Sequence, residues 1–169
     1  IVTNNTNYFK KVKIASRSGI SNGRAISWGL NSRLNSVASA ILRIKLKNLN
    51  NKISKRIKNV NTYKKFLNNK FVYIPEEEKN CFNSFHTFTV QVKNRDKLKK
   101  YLEKKKIETK IHYPVPIHLQ PVGKFLSYKR GSLPILEEQS KNIISLPIHE
   151  FLTKEKIIYI CKIINNFYR

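Results

Sequence analysis

The chain has 169 residues and a formal net charge of +24, long enough for one domain, or for a small domain plus part of another, with roughly 70% of its unfolded surface buried. It contains no methionine, opens on Ile1-Val2-Thr3 without a secretory pattern, and its longest apolar stretch, Ile157 to Ile164, is broken by Lys162. A membrane-spanning helix is excluded, and a piece of a longer soluble protein is expected. The charge alone would suit nucleic acid, but the lysines spread over almost every predicted helix and arginine is scarce. Lys, Asn and Ile fill roughly two-fifths of the chain, which indicates A/T-rich codon bias rather than a nucleic-acid surface. Cys81 and Cys161 lie far apart with no CxxC pair, as suits a reducing cytoplasm.

In chain order, Ile1 to Thr3 read as the tail of a strand, and Asn4 or Asn5 as the cap of a short helix ending near Arg17 and Gly19. Residues 20 to 30 read as loop. After Asn31, Leu34, Val37, Ala38, Ile41, Leu42, Leu46, Leu49, Ile53, Ile57, Val60, Tyr63 and Leu67 follow three- and four-residue steps, predicting one long amphipathic helix or two meeting at the asparagines of 48 to 51. Phe71 to Ile74 predicts a strand stopped by Pro75, and Phe85 to Val92 a longer one with His86, Phe88, Val90 and Val92 on one face. Asn94 is expected to cap a helix from about Arg95 to Lys105, followed by a strand over Ile107 to Ile111. Helices are predicted from about Pro134 to Ile144 and, capped by Thr153, from there to Phe167.

Two segments carry chemistry. Ile111-His112-Tyr113-Pro114-Val115-Pro116-Ile117-His118-Leu119-Gln120-Pro121 joins two imidazoles, a phenol and an amide to three prolines. Proline fixes φ and holds its predecessor extended, so the loop is stiff enough to aim His112, Tyr113 and His118 at a ligand. No carboxylate or cysteine accompanies these histidines, so a metal is not expected. Gly29-Leu30-Asn31-Ser32-Arg33-Leu34 places an amide, a hydroxyl and a guanidinium at the predicted first turn of the long helix. Such a terminus suits an anion; Asn31 or Ser32 serving simply as an N-cap accounts for it equally. His86 and His149 read as satisfied core histidines. There is no paired-carboxylate site, no Gly-rich phosphate loop and no GxSxG.

Val2-Thr3-Asn4, Gly29-x-Asn31-Ser32-Arg33-Leu34, Ala40-Ile41-Leu42, Lys45-Leu46, the 111 to 121 run, Gly131-Ser132-Leu133-Pro134 and Leu146-Pro147 occur in that order. In this order they resemble the C-terminal part of the DegT/DnrJ/StrS sugar aminotransferases, over essentially the whole chain. The resemblance implies an α/β fold, the C-terminal part of a type I aminotransferase that uses pyridoxal phosphate (PLP). Residues 1 to 48 would finish the large PLP-binding domain, 49 to 70 form a connecting helix, and 71 to 169 the small α/β domain. It further implies a homodimer in which Asn31 reaches the PLP phosphate of the neighbouring subunit, with Arg33 nearby. His112, Tyr113 and His118 would border the pocket for a nucleotide-linked keto-sugar.

The implied reaction moves an amine from a donor, usually glutamate, to the keto-sugar by way of the cofactor. The family's Schiff-base lysine precedes the Val-Thr segment by about a dozen residues, so it is expected upstream of Ile1; Lys10, Lys11 and Lys13 lack its context. Asp96 is misplaced for the acid that pairs with the pyridine nitrogen. By itself the chain should be inactive. A related branch with histidine in place of that lysine dehydrates sugars, and the run at 111 to 121 is slightly closer to members that act at C3 of the hexose than at C4. A non-enzymatic basic module is the remaining alternative and rests on charge alone.

Overall fold

Sequence pattern and backbone agree on where most helices begin. The computed structural model describes residues 1–32 and 34–169, the side chain of Lys124 aside. They form two units, Ile1–Leu49 and Asn50–Arg169.

In the first unit, α1 (Thr6–Ala15) is capped by Asn5, whose carboxamide oxygen accepts from the backbone N–H groups of Asn7 and Tyr8. Ile1 to Thr3 form no strand. Instead of a loop at 20 to 30 there is a hairpin, β1 (Ile20–Ser21) against β2 (Arg24–Ala25). Asn22 and Gly23, at φ 47° and 75°, supply the positive angles of its two-residue turn. Helix α2 (Ser36–Lys47) starts later than expected: Asn35, not Asn31, caps it, accepting from Ala38 N at 2.8 Å. Asn48 ends α2 where the asparagine cluster predicted a break. Val37, Ile41 and Ile44 of α2 are exposed, and none of its residues is buried within this chain.

The second unit is a three-stranded antiparallel sheet in the order β3 (Val72–Tyr73), β4 (Phe88–Val92), β5 (Ile143–Leu146). Strand alternation sends Phe88, Val90, Val92, Ile144 and Leu146 to one face. There they form a core with Val60 and Tyr63 of α3 (Leu49–Phe66), Leu98 and Leu102 of α4 (Arg95–Lys104), and Ile157, Ile160 and Ile164 of α6 (Lys154–Phe167). The predicted strand at 107 to 111 is a single bridge, Lys110 to Ser145. The third strand is β5, which sequence periodicity had merged with α5 (Pro134–Asn142); Pro147 holds Leu146 extended and favours the strand. Thr153 caps α6 as expected. Asn94 does not cap α4 through its side chain and sits at φ 54°. Arg95 is buried and donates to Ile143 O at 3.1 Å, tying α4 to β5.

Candidate functional site

The second face of the sheet carries the candidate substrate loop. Thr89 on β4 and Ser145 on β5 are cross-strand partners, and their hydroxyls lie 2.8 Å apart. His112 Nδ1 lies 3.0 Å from Ser145 Oγ, so the loop starts from a side-chain bond to the sheet. Tyr113 follows with its ring edge-on to His112 at 5.6 Å and is 70% exposed. The proline-rich stretch then tightens into two 3₁₀ turns, Ile117–Leu119 and Pro121–Leu126. A Cβ at Gly123 would sit 2.5 Å from Ile117 O and 2.6 Å from His118 O, so glycine is needed where the two turns stack.

His118 does not face solvent. It is 3% exposed, and its Nε2 lies 3.0 Å from Glu137 Oε1 on α5. That hydrogen bond, helped by the N–H of Gly131, holds the Glu137 carboxyl below the usual carboxylate range. His86 and His149 are both exposed rather than core residues. With His112 they line a cleft of about 580 Å³ whose floor includes Ile107, Leu146 and Ile160. Arg56, Lys105, Lys110 and Lys156 give its rim a positive character against Glu108, suited to an anionic or polyhydroxylated ligand. Tyr113 and His118 are outside this lining. Sequence reasoning missed the cleft because its histidines come from three separate loops.

Asn31 is not in the first turn of a helix. It is exposed and pairs with Arg17 in an isolated antiparallel bridge. The flanking bonds, Ser18 N to Leu30 O and Ser32 N to Ser16 O, make 17 and 31 the non-hydrogen-bonded pair, the register that brings opposed side chains closest. An amide and a guanidinium thus stand side by side, donors suited to a phosphate. Arg17, absent from the sequence reading, supplies the cation of this pair; Arg33 lies outside the described residues. Gly29 is what lets the segment approach, since a Cβ there would meet Gly19 N at 2.4 Å and Ala15 O at 2.5 Å. Among the described residues no three His, Cys, Asp or Glu side chains converge as a metal site, and no helix is long and apolar enough to cross a membrane.

Residues 1–165 match the model of the DegT/DnrJ/EryC1/StrS aminotransferase family, and the chain belongs to that family. It is 37% identical over 144 residues to the pleiotropic regulatory protein of Geobacillus stearothermophilus, covering 83% of this chain and 39% of that protein. It is 32% identical to the dTDP-3-amino-3,6-dideoxy-alpha-D-galactopyranose transaminase of Aneurinibacillus thermoaerophilus, covering 82% and 38% respectively. Among solved structures, S. venezuelae DesV in complex with a ketimine intermediate superimposes with a TM-score of 0.89 at 27% identity, over 98% of this chain and 45% of that one. The chain therefore corresponds to part of an aminotransferase fold and spans less than half the length of these relatives.

Proposed function

We propose that the full-length protein transfers an amino group, with glutamate as donor, to a nucleotide-linked keto-sugar, using PLP. The observation that carries this reading is the family match from residue 1 to 165, joined to likeness to a sugar transaminase and to DesV over more than four-fifths of the chain. When bound, PLP supplies the electron sink that labilises the donor's α-proton. Its Schiff-base lysine is assigned to the protein upstream of Ile1.

Within this chain, the Asn31 amide and Arg17 guanidinium fit a phosphate, and we assign them, with Arg33, to the cofactor phosphate. His112 and Tyr113 are assigned to the sugar pocket. His112 is held by Ser145, so its Nε2 is the ring atom free to meet a sugar hydroxyl, and Tyr113 offers an exposed phenol. His118, buried against Glu137, is assigned a supporting place behind those two rather than a contact with the sugar. The uncovered apolar face of α2 fits a helix that packs on the rest of a large domain. A homodimer with shared active sites and a cytoplasmic location belong to the same reading.

The test is amino transfer by the full-length protein. Glutamate-dependent formation of amino-sugar and 2-oxoglutarate in equal amounts is expected. Water loss from the sugar without nitrogen transfer would instead assign the protein to the dehydratase branch.

A further inference from the structure

We propose that Glu137 is a positioning residue which, through His118, holds the loop that presents His112 and Tyr113. The functional part of this proposal rests on the transaminase reading; the structural part does not.

The loop is poor in ladder bonds. Its backbone hydrogen bonds are local: Leu119 N to Pro116 O, Gln120 N to Ile117 O and Gly123 N to Gln120 O. Gln120 Nε2 also turns back on the loop, donating to Val115 O. Among the described residues, two side-chain hydrogen bonds tie residues 112 to 126 to the rest of the unit, His112 to Ser145 and His118 to Glu137. Tyr113 stands between these two rivets on a run that is largely exposed. Without the second rivet, among the described residues no side-chain hydrogen bond would join the far end of the loop to the rest of the unit.

The chemistry of the pair favours a brace over a ligand contact. The His118 side chain is 2% exposed and that of Glu137 13%, so each is withdrawn from water at a cost that their hydrogen bond helps to offset. His118 Nδ1 is buried and has no partner among the described residues. A proton there would be an unmet donor, so the ring carries its proton on Nε2 and donates it to Glu137. The same Glu137 Oε1 accepts from Gly131 N at 2.8 Å, where the chain turns at φ 88° before α5. One carboxylate oxygen thus fixes both the proline-rich loop and the turn that follows it.

Because only Nε2 is used, the brace has a chemical signature. A glutamine side chain places its amide nitrogen near the Nε2 position, whereas asparagine reaches only to Nδ1. In the full-length protein, His118→Asn and Glu137→Ala are expected to raise backbone hydrogen exchange over residues 113 to 128 while α3, α4 and α6 stay protected. His118→Gln and Glu137→Gln should remain near the parent. In turnover, the first pair should raise KM for the keto-sugar about tenfold, the scale of one lost hydrogen bond to a charged group. Their kcat and their half-reaction with glutamate should stay within about twofold.

Unchanged exchange in both His118→Asn and Glu137→Ala, or equal loosening by glutamine and asparagine at 118, would overturn the brace. Equal losses in the glutamate half-reaction would overturn its link to the acceptor site. If the exchange pattern appears and the parent protein transfers no amine, the brace stands and the transaminase reading falls.

Discussion

Tyr63 straps the long helix α3 to the wall of the cleft, and removing its hydroxyl isolates that strap. Its side chain is fully buried, its ring lies 5.1 Å from Phe88, and its hydroxyl donates to Pro147 O at 3.0 Å. Tyr63→Phe keeps the ring, so the loss is one hydrogen bond plus a carbonyl left unsatisfied, about 1–2 kcal/mol. Burial, reinforced by the neighbouring Cys161, pushes the phenol far above its ordinary value of 10.0. With the folded value raised, the contribution is complete below the unfolded value and is lost as pH rises above it. At about pH 11, unfolded Tyr63 is mostly ionised and folded Tyr63 is not, which costs the parent about 1.4 kcal/mol that the phenylalanine variant does not lose. Urea denaturation followed by circular dichroism should therefore show a deficit at about pH 8 that nearly closes at about pH 11. A deficit that is absent at neutral pH, or constant across this range, would refute the strap.

Three further outcomes follow from the same geometry. Asn31→Ala and Arg17→Ala in the full-length protein should each weaken PLP retention about tenfold or more, measured by dialysis and cofactor absorbance; retention equal to the parent in both would remove the phosphate assignment. Gly123→Ala forces a Cβ against two backbone carbonyls and should cost roughly 1–3 kcal/mol, with exchange rising first in residues 117 to 126. Glu150 is held at about 2 by its own backbone N–H and by Lys52 and Arg56. A lowered value gives stability that is present above 4.5 and lost as pH falls toward 2, so Glu150→Gln should flatten the acid limb of a urea-midpoint profile over that window.

Much of this architecture is legible locally. Thr153 and Asn5 cap the helices their side chains predict, the Asn48 to Asn51 cluster marks the helix break, and Phe88, Val90 and Val92 alternate as a half-buried strand must. The hairpin is hard to read from sequence although Asn22-Gly23 is a strong turn signal, because its strands are two residues each. Strand β5 is not legible because a short apolar run such as Ile143-Ile144 carries no period that separates helix from strand. At the candidate site the loop's stiffness was legible from its prolines, but its contacts were not. Arg17 with Asn31, His112 with Ser145 and His118 with Glu137 are set by tertiary pairing across 14 to 33 residues, and no local pattern encodes such partners.

The most direct test of the whole account follows nitrogen. The full-length protein, loaded with PLP and given heavy-nitrogen glutamate and a nucleotide-linked keto-sugar, should yield an amino-sugar carrying that nitrogen, detected by mass spectrometry. A cofactor-loaded protein that returns the keto-sugar unlabelled, or a deoxygenated sugar without nitrogen, would contradict it.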